Sequence, residues 1–371
     1  MIYLDHAATT PMLPEAWEAM RPFATENFGN PASAHGAGRK ARRALEDARE
    51  RIALCLDASA EEVVFTSGAT EANNLAIFGL AGSPPGHILS SPIEHPCVVE
   101  PLKQLAARGF TVEFLNANLP PQPPLRNGEG EPRLVVAMLV NHETGAITEY
   151  SVLSTQYSVL HCDAAQAVGK IPVSFRKLGA TTLSLSAHKF GGPKGIGALL
   201  VKKGTHLIPQ LFGGHQQQGR RPGTEPVALA VGMATALEIA TRHYPSSHLG
   251  KGTEGLGERR DAFIERLRTL CPPLVVNSPA DASPYILNIS FPGCRADVLL
   301  MKLDLAGIAC STGSACSSGS LLPSPVLQAM GVPEELLRSA MRFSFAASTT
   351  EAELEEAATR IAACVKQLRA D

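Results

Sequence analysis

TTLSLSAHKFGGPKGIGALLVKK, residues 181–203, reads as two apolar strands joined by a Gly-rich turn, with Lys189 closing the first of them. The glycines let the backbone turn tightly directly after the lysine. Working outward, RLVVAMLV is predicted as a strand ending at Asn141, and SVLHCD as a strand ending at Asp163. EEVVFT is a further buried strand, followed by a turn and helix in SGATEANNLAIFGLA, and HILSSP precedes a helix in CVVEPLKQLAARG. Strands alternating with helices predict an α/β domain with a mostly parallel sheet. In such sheets ligands gather beyond the carboxyl ends of the strands. Thr70, Asn141, Asp163 and Lys189 all fall at or just after predicted strand ends.

After about residue 226 the texture changes to two helical stretches, the short strands YILNISF and MRFSFA, and a final helix. A chain of 371 residues is long enough for a large domain plus a smaller one. The predicted division is 15–245 for the large domain, with 1–14 and 246–371 forming a smaller α+β domain. ANLPPQPPLRNGEGEP, residues 117–132, is predicted to be an exposed loop.

A formal net charge of −2 and the absence of a long basic run argue against direct contact with nucleic acid. No apolar stretch is long enough to cross a bilayer, and MIYLDHAATTP lacks the pattern of a signal peptide. A cytoplasmic location is the default expectation. The eight cysteines are scattered and include no CxxC pair, so neither a disulfide framework nor a metal site is expected.

The chemistry-bearing residues have both plain and functional readings. Lys189 is either a solvated strand-end lysine or, if partly desolvated, a neutral amine able to attack a carbonyl. Asp163 is either a turn residue or a carboxylate that keeps a cofactor ring nitrogen protonated. SGAT, residues 67–70, matches neither the P-loop nor the dinucleotide pattern, yet a strand-to-helix turn suits a phosphate as well as it suits a plain N-cap at Ser67 or Thr70. Arg342, inside the apolar MRFSFA, wants a planar anionic partner, either a substrate carboxylate or an internal salt bridge. Cys316 lies in STGSACSSGS, a small, polar, Gly-containing stretch predicted to be a mobile surface loop, where a thiol is accessible rather than packed. Cys310, after GIA, is the more buried neighbour.

Together these pieces resemble the cysteine desulfurases, which have the type I fold of pyridoxal-phosphate-dependent transferases. The resemblance runs in order through YLDHAATTP (3–11), FGNPAS (28–33), VFTSGATEANNLAI (64–77), EH (94–95) and NHETG (141–145). It continues through DAAQAVGK (163–170), SAHKFGGPKGIGAL (186–199), RPGTEPV (221–227), STGSACSSGS (311–320) and RFS (342–344). The long GSAC-containing loop is similar to the branch that serves iron–sulfur assembly and nitrogen fixation. The resemblance implies pyridoxal 5'-phosphate held covalently by Lys189, with Asp163 at the pyridine nitrogen and His95 over the ring. It implies Asn141 and Gln166 near the ring hydroxyl, and Ala69, Thr70, Ser186 and His188 at the phosphate. Thr224 would reach the phosphate of a neighbouring subunit in a homodimer. Arg342, with Asn30 and Asn141, would bind the substrate L-cysteine. Cys316 would take its sulfur as a persulfide and pass it to an acceptor protein such as an iron–sulfur scaffold. Four stretches depart from the family pattern: the Pro-rich segment, a short run between Gly145 and Asp163, Gln218 before Thr224, and FAAST after Ser344. A lyase or transaminase of the same fold is the alternative activity, and a low-activity scaffold homologue the alternative role. Lyases need no persulfide cysteine, so GSAC argues against them.

Overall fold

The computed structural model describes residues 1–115, 132–242, 255–313 and 323–370. Cys316 with its loop, and nearly all of the Pro-rich stretch, lie outside these residues. Two compact units emerge: Pro11–Leu139 with Thr148–Gly250, and Met1–Thr10 with Val140–Ile147 and Lys251–Asp371. Residues 140–147, assigned to the large domain from sequence, join the smaller unit because their backbone is held there. Gly145 O accepts from Ser283 N at 2.9 Å, and His142 O accepts from Arg342 Nη1 at 2.9 Å.

The larger unit is built on a seven-stranded sheet. Its order is Val63–Thr66, Gly197–Val201, Thr182–Ser186, Leu160–Asp163, Leu134–Met138, His87–Ser90 and Thr111–Phe114. Gly197–Val201 runs antiparallel to both neighbours, and the other pairings are parallel. The strands Val63–Thr66, Leu134–Met138, Leu160–Asp163 and Thr182–Ser186 therefore end at the same edge. All four are buried along their whole length, as the continuous apolar runs require of a sheet covered on both faces. The strand predicted to end at Lys189 stops at Ser186. Ala187–Lys189 forms a single 3-10 turn, since Ala187 N donates to Ile196 O and Phe190 N turns back to Ala187 O, both at 3.1 Å.

The helix Val227–Thr241 is apolar nearly all round and packs between Pro14–Thr25 and Gly36–Cys55. A Cβ on Gly232 would lie 2.4 Å from Met20 Sδ, so the glycine leaves room for the Met20 side chain at this crossing. Between Gly145 and Asp163 the only helix is the seven-residue Tyr150–Gln156, as the short sequence there requires.

The smaller unit holds an antiparallel sheet in the order Ala340–Ser344, Ile286–Ser290, Val275–Val276. The N-terminal strand Ile2–Tyr3 pairs in parallel with Ile308–Ala309. The helices Leu256–Leu270 and Glu351–Ala370 pack together, and Phe263, Phe291, Phe343 and Phe345 meet edge to face in the core. Among the described residues no helix is long and apolar enough to cross a membrane, and no His, Cys, Asp or Glu cluster could hold a metal.

Candidate active site

The shared strand edge brings most of the predicted residues together. The SGAT turn follows Val63–Thr66 and opens the helix Ala69–Ala81, putting the amides of Ala69 and Thr70 in its first turn. Neither Ser67 nor Thr70 caps this helix; Gly68 stands at the cap position and makes no side-chain bond. Thr66 and Ser186 both pair with Gly197, so the turn lies beside the end of the Ser186 strand. A Cβ on Gly197 would meet Leu185 O at 2.4 Å and Gly68 Cα at 2.7 Å, so only glycine permits this approach. His188 is pushed down to about 4 by burial and by the charges of Lys189, Lys194 and Lys170. Helix amides and three lysines around a neutral histidine fit an anion as charged as a phosphate ester.

The turn is fastened from outside by Glu71, which pairs with Arg221 at 2.7 Å and accepts from Ser67 N at 2.8 Å. Burial raises the Glu71 carboxyl, but the bonds from Arg221 and Ser67 outweigh it and hold it below its ordinary range. Arg221 lies three residues before Thr224. The same loop has two successive non-glycine residues in the left-handed region, Gln217 (φ 50) and Gln218 (φ 58). Gln217 is held there by Arg49 Nη1 at 3.0 Å, by Phe65 N at 2.9 Å and by its own bond to Glu225. Thr224 itself is exposed and shares a pocket of about 270 Å³ with Asn27, Phe28 and Asn30. Asn30 Oδ1 accepts from Ala32 N at 2.8 Å, a turn contact.

Asp163 is 4% exposed. Its Oδ1 accepts from Ala165 N at 2.9 Å and its Oδ2 from Asn73 Nδ2 at 2.7 Å. A carboxylate fixed by two donors is suited to face a protonated ring nitrogen. Asn73 Oδ1 lies 2.9 Å from His161 Nε2, and His161 Nδ1 lies 2.9 Å from Thr182 Oγ1. Burial pushes His161 down to about 4, so it is neutral at pH 7. Glu94 Oε1 accepts from Met138 N at 2.6 Å; burial, then the charge of Asp163, push this carboxyl up to about 8. His95 caps the helix Pro96–Ala107, its Nδ1 accepting from Cys97 N at 3.2 Å. Gln166 is buried and its Oε1 accepts from Lys170 Nζ at 2.6 Å, so its carbonyl end holds an ammonium.

Asn73, Cys97, Lys170, Glu71 and Arg221 are supports that the sequence reading left unassigned. Asn73 carried a signal, an asparagine in an otherwise apolar helix face. Lys170, four residues after Gln166, carried another.

In the smaller unit, Asn141 Oδ1 accepts from the amides of Glu143 and Thr144, both at 2.9 Å, and so shapes the NHETG turn. Arg342, 2% exposed, pairs with Asp5 at 2.9 Å, so the internal salt bridge is present. Its Nη1 is bonded to His142 O, while its buried Nε meets no acceptor among the described residues. Its backbone bonds Ser311 both ways, at 3.1 and 2.6 Å. Ser324 Oγ lies 2.6 Å from Glu143 Oε2, and a Cβ on Gly313 would lie 3.4 Å from the same atom. After the Cys316 segment Ser324 thus bonds Glu143, and before it Gly313 leaves the space beside that carboxyl clear of a side chain.

Seven of the eight cysteines are described, and all seven are free thiols. Burial is the largest influence on each and raises every one of them. Cys310 is pushed up to about 12, although it lies close enough to Arg342 to feel that charge.

The sequence profile of the class-V aminotransferases matches residues 2–356. A cysteine desulfurase IscS of Dictyoglomus turgidum is 41% identical, over 99% of this chain and 95% of that protein. The chain belongs to the cysteine desulfurase family. A solved NifS-like protein superposes with a TM-score of 0.88 at 32% identity, covering 99% of both chains. A structure of SspA in complex with cysteine superposes with a TM-score of 0.79 at 33% identity, over 93% of this chain and 99% of that one. The fold is thus the type I transferase fold of this family.

Proposed function

We propose that the protein is a pyridoxal-phosphate-dependent enzyme that removes sulfur from L-cysteine, releases L-alanine and carries the sulfur as a persulfide on Cys316. One observation carries the reading: Asp163, Lys189 and the helix amides at Ala69 and Thr70 share a single strand edge, with three lysines around His188. Bound there, pyridoxal phosphate supplies an electron sink for the bonds of the amino acid joined to it.

The chain's own residues do the rest. Lys189 holds the cofactor and moves a proton to and from the substrate carbon. Asp163, fixed by Asn73 and Ala165, keeps positive charge at the ring nitrogen. Thr70, Ser186, His188 and the Ala69 amide hold the phosphate. His95 covers the ring face, and Asn141 and Gln166 serve the ring hydroxyl. Arg342 takes the substrate carboxylate, supported by its buried Nε, with Asn30 and Asn141 completing the amino-acid site. The thiolate of Cys316 attacks the substrate sulfur, so an S–S bond forms, the C–S bond breaks and the carbon takes up a proton. The persulfide then passes to an acceptor protein, an iron–sulfur scaffold being the one in keeping with the long-loop branch. The test is to supply purified protein with pyridoxal phosphate and L-cysteine. Alanine should appear together with protein-bound persulfide, and a protein that binds the cofactor yet yields no alanine would mark a scaffold homologue.

The working unit is a homodimer in which Thr224 serves the partner's phosphate, in keeping with its exposure. Thr224→Ala should weaken cofactor retention by about 1.5–3 kcal/mol, one hydrogen bond to a charged group. Equilibrium dialysis of the cofactor measures this, and a fully active monomer in sedimentation would contradict the dimer.

A further inference from the structure

The Cys97 thiol lies 3.0 Å from His95 Nδ1 and 3.0 Å from Asn73 Nδ2, and neither the family's chemistry nor the persulfide route uses it. The proton positions around it follow from the partners. Asp163 can only accept, so the end of Asn73 facing it is the NH2, and Asn73 Oδ1 takes the Nε2 proton of His161. The second N–H of that NH2 points at Cys97 Sγ. Cys97 is half-buried, and burial with the nearby Asp163 charge drives its thiol well above the ordinary range, so it keeps its proton. With Sγ already accepting from Asn73, the S–H must donate. His95 Nδ1 presents a lone pair there, because it already accepts the amide N–H of Cys97 at 3.2 Å. Thr70, whose side chain exerts a smaller influence on the same thiol, is the competing acceptor.

We infer that Cys97 is a positioning residue: its thiol donates to His95 Nδ1, joins its own backbone amide in keeping the proton of that ring on Nε2, and links His95 through Asn73 to Asp163. The donor chain then runs Asn73 to Cys97 to His95, while Asn73 also donates to Asp163. The ring assigned to cover the cofactor and the carboxylate assigned to its nitrogen are held by one amide. Two donors on Nδ1 oppose its protonation, so Nε2 is the nitrogen left to carry a transferable proton. The catalytic meaning of this link rests on the proposed function, but the link itself is measurable without it.

The S–H stretch absorbs in a region clear of other protein bands, so an infrared difference between the full chain and Cys97→Ala isolates this thiol. We expect a broadened, low-frequency band that moves to the unbonded position in His95→Phe. A band at the unbonded position in the parent protein, or one unmoved by His95→Phe because Thr70 is the acceptor, overturns the inference. In protein labelled with 15N-histidine, the Nδ1 resonance of His95 should move in Cys97→Ala and return in Cys97→Ser. A resonance unchanged in the alanine variant also overturns it. Turnover of Cys97→Ala should fall roughly two- to tenfold in kcat with KM unchanged, the effect of one ordinary hydrogen bond. If no turnover exists but both spectra behave as expected, the proposed function fails and the positioning link stands.

Discussion

Lys189→Ala is expected to abolish turnover of L-cysteine and to leave a protein unable to hold pyridoxal phosphate covalently. The proton-carrying role alone is worth roughly 10²–10⁴-fold in rate, and the covalent tether is lost with it. The fold should survive. Lys189 ends a 3-10 turn whose geometry rests on backbone bonds, Ala187 N to Ile196 O and Gly192 N to Ala187 O, at 3.1 and 2.9 Å. Thermal unfolding of the cofactor-free variant should therefore match that of the cofactor-free parent. An electrostatic signature should accompany the loss. His188 is lowered to about 4, first by burial and next by Lys189, with Lys194 and Lys170 behind it. Removing the Lys189 charge lets His188 take up a proton at higher pH, a rise visible in an NMR titration of the cofactor-free protein. The linked stability follows in sign. Because the folded value is below the ordinary 6.5, His188 favours the fold at neutral pH, and this contribution fades as pH falls from about 6.5 through about 4. Lys189→Ala should narrow that window from its acid end. Normal alanine production by this variant would defeat the assignment of Lys189.

Two of the residues proposed for the chemistry, Asp163 and Lys189, were legible in the sequence because each is a polar side chain placed at the end of an apolar run. Asp163 after LHC and Lys189 after TLSLSAH stand out for that reason, and the parallel order of their strands brings them to one edge. The supports were harder to read. Asn73 is one of two adjacent amides in the apolar ANNLAI, and it is the one that is 0% exposed and bonds Asp163. Nothing in the local pattern tells which face of that helix turns inward, since apolar residues occupy most of it. The place of 140–147 was also hidden, because a strand that ends at the large sheet gives no sign that the next turn is bonded to Ser283 and Arg342, far along the chain. The Glu71–Arg221 pair spans 150 residues and could not be inferred from either segment alone. Arg342 was readable as an arginine in need of an anion, but its partner Asp5 lies 337 residues away.

Cys316→Ser should bind cofactor and L-cysteine and yet release no alanine, because a serine oxygen cannot take sulfur in place of a thiolate. The choice of Cys316 rests on two lines. Its surroundings, Gly313-Ser-Ala-Cys-Ser-Ser-Gly-Ser320, are small and polar, giving no packing reason for a thiol. The seven other thiols are each raised by burial, and a raised thiol offers little thiolate at neutral pH. Cys310 is the competitor nearest in sequence and the one that feels Arg342, but its value of about 12 leaves it protonated. Cys294 is 5% exposed, with Sγ against Val365 O. Ser324, just after the segment, bonds Glu143 in the same unit as the guanidinium assigned to the substrate carboxylate. The experiment is to add L-cysteine to the variant, follow the absorbance of the bound cofactor, and assay alanine and protein persulfide. The absorbance should still respond, since Lys189 and Arg342 are untouched, while both products disappear. Alanine with a persulfide on another cysteine would mean that a different thiol is the acceptor. Alanine with no protein persulfide at all would identify a lyase, in which sulfur leaves without passing through the protein.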